Sequence, residues 1–174
     1  MNQSKIWRYK KTISFLSKHC QPSEQILDLG THNELSQYIQ QQGFNVKNTS
    51  GENLDTSFDS VLIPGIDVVT AFEIFEHMLA PFNILNNIKA PKLIASVPLK
   101  LWFSDAYWND DDDWDKHYHE FETKQFDFLL NKSGWKIIDS EKWIPKLEFK
   151  IGFRPLLRMF TPRYYIVYCE RINS

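Results

Sequence analysis

Short apolar runs of strand length alternate along this chain with stretches whose apolar residues recur at helical spacing, and that alternation most restricts its fold. Gln25-Ile26-Leu27-Asp28-Leu29-Gly30 reads as a buried strand that ends on an acid and a glycine. From Asn33, a residue suited to an N-cap, Leu35, Tyr38 and Ile39 form a helical stripe that Gly43 stops. Phe44-Asn45-Val46 opens a second strand. Residues 60–63 and 66–71 read as two more, broken by Pro64-Gly65, and residues 92–97 as another, closed by Pro98. Pro81 suits the first turn of a helix reaching about Ile88. Residues 123–132 put Phe126, Leu129 and Leu130 on one helical face. Residues 135–143 and 164–169 are closing strands, and residues 1–20 carry a leading helix.

Strands that alternate with helices form parallel pairs, because each crossover returns the chain to the same end of the sheet. The expectation is an α/β fold: a doubly wound, seven-stranded mixed sheet with an antiparallel edge where the last two strands meet. The 174 residues suit a single domain over 1–174. Twenty basic against 22 acidic residues leave a net charge of −2, which gives no pull toward nucleic acid. No apolar run approaches the ~20 residues that cross a bilayer. The start, Met1-Asn2-Gln3-Ser4-Lys5, lacks an apolar signal core, and two cysteines are too few for a disulfide framework. A cytoplasmic protein is the economical reading, and nothing in the chain sets its oligomeric state.

In such sheets ligands bind beyond the carboxyl ends of the strands, which gathers Gly30–Asn33, 48–53, 71–77 and 97–119 around one crevice. Three segments there carry chemistry. Gly30 directly after a buried strand lets the backbone approach a ligand, although the same pattern serves an ordinary strand-to-helix turn. Ala71-Phe72-Glu73-Ile74-Phe75-Glu76-His77 brings two carboxylates and an imidazole together if it turns, a set suited to Mg²⁺, Mn²⁺, Zn²⁺ or a general base; a solvated helix start is the plainer alternative. Lys116-His117-Tyr118-His119-Glu120 offers two further imidazoles, of which His119 would face the Glu73–His77 cluster.

Taken together these stretches resemble the class I S-adenosylmethionine-dependent methyltransferases, which are Rossmann-like, over roughly residues 20–171. Ile26-Leu27-Asp28-Leu29-Gly30 resembles the family's first motif. Ile66–His77 with Pro81 is similar to its fourth strand and Glu-His signature, and His119-Glu120-Phe121 with Ser133-Gly134-Trp135 to a block near its end. The resemblance implies S-adenosylmethionine as cofactor, held by Asp28, Gly30, Thr31, Ser50, Glu52, Phe72 and Glu73. Glu52 is the first carboxylate after the second strand, and the short stretch before Ile66 implies that a helix the family carries is reduced or missing. Glu73-x-x-Glu76-His77 with His119 also resembles the divalent-metal site of small-RNA 3′-terminal ribose methyltransferases and of certain ubiquinone-pathway O-methyltransferases. This implies Glu73, Glu76, His77 and His119 as metal ligands, and His77, His119 and Glu76 as the catalytic groups.

The expected activity is O-methylation of a small-molecule acceptor. Methylation of RNA 2′-hydroxyls is one alternative, which the charge balance argues against, and a non-catalytic binding module that has lost its cofactor is another. Two features stand outside these motifs. Asp110-Asp111-Asp112-Asp113, interleaved with Trp102, Trp108 and Trp114 in an acceptor loop over 99–118, is either a solvated loop or a cap over the acceptor. Residues 142–163 form a basic, apolar insertion before the last strand that suits an anionic acceptor, peripheral membrane contact or simple self-packing.

Overall fold

The computed structural model describes residues 3–145, 157 and 160–172. The elements run α1 (Gln3–His19), β1 (Gln25–Asp28), α2 (Glu34–Gln41), β2 (Asn45–Asn48), β3 (Val68–Phe72), α3 (Pro81–Asn87), β4 (Lys92–Pro98), α4 (Thr123–Lys132), β5 (Trp135–Trp143) and β6 (Tyr164–Arg171). Short 3₁₀ turns lie at Asp59–Leu62 and Phe75–His77. The strands form one mixed sheet in the order β2-β1-β3-β4-β6-β5. The first four are parallel, and β6 runs antiparallel to both β4 and β5.

Both faces of the sheet are covered, and the two-residue period of the strands decides which side chain goes where. Leu27, Val69, Leu93, Ala95 and Val167 enter a core shared with Phe75, Ile84, Phe126 and Trp135. Their neighbours Ile26, Val68, Ile94 and Ile166 enter a second core with Phe15 and Leu16 of α1 and Ile39 of α2. Each fully buried side chain of this size contributes about 1.5–3 kcal/mol, so the alternating pattern of β1, β3, β4 and β6 fixes the layering.

The sheet has six strands rather than the expected seven. Residues 60–63 do not pair: Asp59–Leu62 is a 3₁₀ turn in which Val61 is buried while Leu62 and Ile63 face solvent. A parallel strand outside β2 needs a crossover of a dozen or more residues, usually a helix, and no helix lies between β2 and this segment. The chain instead passes through Pro64 and a left-handed Gly65 into β3. Of the basic insertion expected over 142–163, residues 146–156, 158 and 159 lie outside the described residues, and with them most of the surface expected to meet a membrane. Among the described residues no helix is long and apolar enough to cross one.

Candidate active site

The turn after β1 is tied down from two sides. Asp28 is almost fully buried; its carboxylate accepts the Thr70 hydroxyl of β3 at 2.6 Å and the Asn48 amide of β2 at 3.0 Å. Burial, only partly offset by those two hydrogen bonds, pushes its pKa up to about 7. Asn48 also donates to the Gly30 carbonyl, and the Gly30 N–H donates to the Thr49 hydroxyl at 2.8 Å. Gly30 has φ +99°, a conformation open to glycine, and a Cβ there would meet Ile74 at 3.2 Å. Asn33 caps α2, accepting from the Leu35 and Ser36 N–H groups. Asp28 therefore braces three strands from beneath the turn.

The exit from β2 lies alongside. Gly51 packs so closely on the Thr31 methyl that an added Cβ would stand 2.9 Å from it. Glu52 accepts the Ser50 N–H at 2.7 Å; burial alone would raise its carboxyl, but the nearby Ser60 hydroxyl and then the backbone N–H groups of 50–52 hold it below its usual range. Gly30, Thr31, Glu52, Ile74, His77, Met78 and Trp114 are among the residues that line a cavity of about 400 Å³, within the size range of small-molecule sites. Ser50, assigned to the cofactor from sequence, is not in this wall, and neither is Asp28.

The exit from β3 carries the titratable cluster. Glu73 sits at φ +57°, and its carboxylate accepts the Arg8 guanidinium of α1 at 2.5 and 2.7 Å. Together with Phe72, Tyr9, Thr12 and Tyr164, this pair lines a second cavity of about 410 Å³, and Asn33 belongs to both cavities. Three residues on, Glu76 is 1% exposed, and neither carboxylate oxygen has a hydrogen-bond partner. Burial, and after it the Glu73 charge, holds its carboxyl well above the ordinary range. His77 Nε2 lies 3.9 Å from Glu76, and its Nδ1 is 3.1 Å from the Lys116 carbonyl. Because a carbonyl can only accept, Nδ1 carries the proton and Nε2 keeps its lone pair. Burial, then the neighbouring His117, lowers the His77 pKa.

The structure separates the four residues grouped from sequence. Glu73 turns away to Arg8. His119 places Nε2 3.3 Å from the Leu79 carbonyl and its ring against Phe121. The partner of His77 is His117, whose ring centroid is 4.9 Å away at 80°. The chain bends at Tyr118, where the N–H groups of Tyr118 and His119 both reach the Glu76 carbonyl, so the two imidazoles diverge. One ligand atom each from Glu76, His77 and His117 lie within 4.8 Å of one another. His117 also lines a third cavity of about 340 Å³, with Tyr107, Trp108, Glu120 and Arg163, so the two touching rings stand between that cavity and the first. Trp114 and Trp108 of the acidic loop thus each reach a cavity wall. Trp102, 72% exposed, packs on Phe103.

No family model matches the chain, and no curated protein matches it in sequence. Its fold does match solved structures. An S-adenosylmethionine-dependent methyltransferase from Mesorhizobium loti aligns over 91% of this chain and 96% of its own, at TM-score 0.60 and 12% identity. One from Archaeoglobus fulgidus aligns over 98% and 95%, at 0.60 and 14%. Geranyl diphosphate C-methyltransferase from Streptomyces coelicolor, solved with Mg²⁺, geranyl diphosphate and S-adenosyl-L-homocysteine, aligns over 94% and 77%, at 0.62 and 9%. At these identities the likeness establishes the fold: the chain has the mixed α/β architecture of S-adenosylmethionine-dependent methyltransferases.

Proposed function

We propose that this protein transfers the methyl group of S-adenosylmethionine to an oxygen of a small molecule. One observation carries the reading: the turns after β1, β2 and β3 meet around a single cavity at the carboxyl edge of the parallel strands, and His77 of the Glu76–His77–His117 cluster stands in its wall. Gly30 and Thr31 supply a close backbone approach there, and Glu52 offers a carboxylate to vicinal hydroxyls. Phe72 and Glu73 border the adjoining cavity, which reaches α1.

The cofactor supplies an electrophilic methyl on a sulfonium that leaves as a neutral thioether. The protein's work is alignment and proton removal. The acceptor oxygen forms the new C–O bond as the C–S bond breaks, its electron pair passing to sulfur. The acceptor's proton goes to an imidazole nitrogen of the cluster or, if those imidazoles were to hold a divalent cation, to solvent water from a hydroxyl that the cation would acidify.

Calorimetry with S-adenosylmethionine and its demethylated product tests this directly. The expected result is binding of at least one of them in the micromolar range, weakened by Glu52→Ala. Absence of both would instead favour a binding module, which has its own support in the Gly30 N–H being taken by Thr49 and in Thr31 packing on Gly51. With an acceptor in hand, His77→Ala should cost about 10²–10⁴-fold in rate while cofactor affinity is kept.

A further inference from the structure

Glu76, His77 and His117 form a three-residue set that the sequence grouping of Glu73, Glu76, His77 and His119 did not anticipate. We infer that it is a binding site for a borderline divalent cation of the zinc class, with one carboxylate and two imidazole ligands.

Four observations converge on this. Glu76 is the buried carboxylate whose two oxygens both lack a partner. An uncompensated buried carboxyl costs several kcal/mol, and a cation is the ligand that would satisfy it. His77 is fixed in the tautomer that leaves Nε2 free, by its Nδ1 contact to the Lys116 carbonyl at 3.1 Å. His117 is fixed in the same way by Glu120, whose carboxylate lies 3.1 Å from Nδ1. Metal-ligating histidines are oriented by such outer contacts, a carbonyl or a carboxylate on the far nitrogen. The three ligand atoms already lie within 4.8 Å of one another. Two ligands on a tetrahedral zinc ion are roughly 3.4 Å apart, so side-chain rotation of about an ångström completes the set.

The ligand types select the ion. Two imidazole nitrogens and one carboxylate suit zinc or a similar transition ion, whereas Mg²⁺ prefers an all-oxygen octahedron with several waters. Three protein ligands leave a position open, and His117 borders the cavity that contains Tyr107, Trp108 and Arg163, so a molecule entering there reaches it. Glu73, in its pair with Arg8, and His119, at the Leu79 carbonyl, take no part. Both cysteines are buried elsewhere, Cys20 just after α1 and Cys169 in β6, and add nothing. A cation here lowers the pKa of a bound hydroxyl. That role rests on the methyltransferase reading, and in it the imidazoles act as ligands rather than bases.

Binding is read without cofactor or acceptor, so it stands or falls separately from methyl transfer. Protein stripped by a chelator is titrated with Zn²⁺ in a calorimeter, with Mg²⁺ as the comparison ion, and melted in the presence of each. The expected result is one Zn²⁺ per chain, a raised melting temperature, and Mg²⁺ binding weaker by about 100-fold or more. His77→Ala and His117→Ala should each remove the tight zinc event, and Glu120→Gln should weaken it by about 10-fold through the freed His117 ring. His119→Ala and Glu73→Gln should leave it unchanged. Circular dichroism confirms that each variant is folded. The inference is overturned if wild-type protein binds no zinc, if His117→Ala binds it as well as wild type, or if His119→Ala or Glu73→Gln abolishes it.

Discussion

The turns after β1 and β3 leave adjacent strands of the same sheet edge and each holds a buried carboxylate, yet the two are built on opposite terms. Asp28 has both oxygens occupied, by Thr70 and Asn48. Glu76 is as deeply buried and has neither occupied. A buried polar group without partners is a liability to the fold, so the second turn is where the molecule has given up stability, while the first holds the strands in register.

The sharpest way to break this contrast is to remove each carboxylate in turn. Asp28→Ala strands the Thr70 hydroxyl and the Asn48 amide, and should cost about 3–4 kcal/mol in urea unfolding. Glu76→Met, which replaces an unpartnered carboxyl by an apolar chain of similar length, should gain about 1 kcal/mol in metal-free protein. Equal losses in the two variants would show that Glu76 is satisfied in solution.

The same carboxylate makes a pH prediction. The Asp28 pKa is raised from 3.8 to about 7 in the folded protein, so between those values the native state binds a proton that the unfolded chain has released. Its contribution to stability is complete below pH ~4 and is lost as pH rises through about 7, to the extent of about 4 kcal/mol. Asp28→Asn should flatten that part of the stability profile. A profile over pH 4–7 that is identical in wild type and variant would remove the buried-acid account.

What the sequence showed of these two turns follows from the range of the forces involved. The continuous apolar runs at 26–29, 68–71 and 93–97 place the strands, because a strand covered on both faces buries successive positions and shows it locally. Glu76 and His77 were legible for the same reason, being neighbours on one tight turn. The seventh strand was misread because residues 60–63 are apolar enough for a strand, and only the missing crossover forbids one. His117 was passed over for His119 because the bend at Tyr118 depends on backbone bonds to Glu76, some 40 residues earlier. The Arg8–Glu73 pair, whose members stand 65 positions apart in the chain, left no local trace at all.

That pair gives a smaller but cleaner test, because Glu73 is the non-glycine residue at positive φ among those described. Glu73→Ala and Glu73→Gly both lose Arg8, a part-buried pair worth about 1–2 kcal/mol. Glycine alone also relieves the left-handed backbone. Glu73→Gly should therefore be about 1 kcal/mol more stable than Glu73→Ala, reversing the usual preference for alanine. If alanine is the more stable of the two, the backbone at 73 is not held in that conformation.

The least effect on the fold should come from Trp114, which is 66% exposed yet lines the cavity between the two turns. An exposed ring on an acidic loop contributes little to folding, so Trp114→Ala should change stability by less than about 0.5 kcal/mol. A ring that closes on a bound nucleoside is worth about 1 kcal/mol beyond its area, roughly fivefold in affinity. Trp114→Ala should then weaken S-adenosylmethionine about fivefold, and Trp114→Phe should restore most of the loss, whereas Trp102→Ala, at a ring that does not line this cavity, should do nothing. An equal loss in both alanine variants would mean that the loop acts through its charge and overall order, and that the cavity is closed by the turns after β1 and β3 alone.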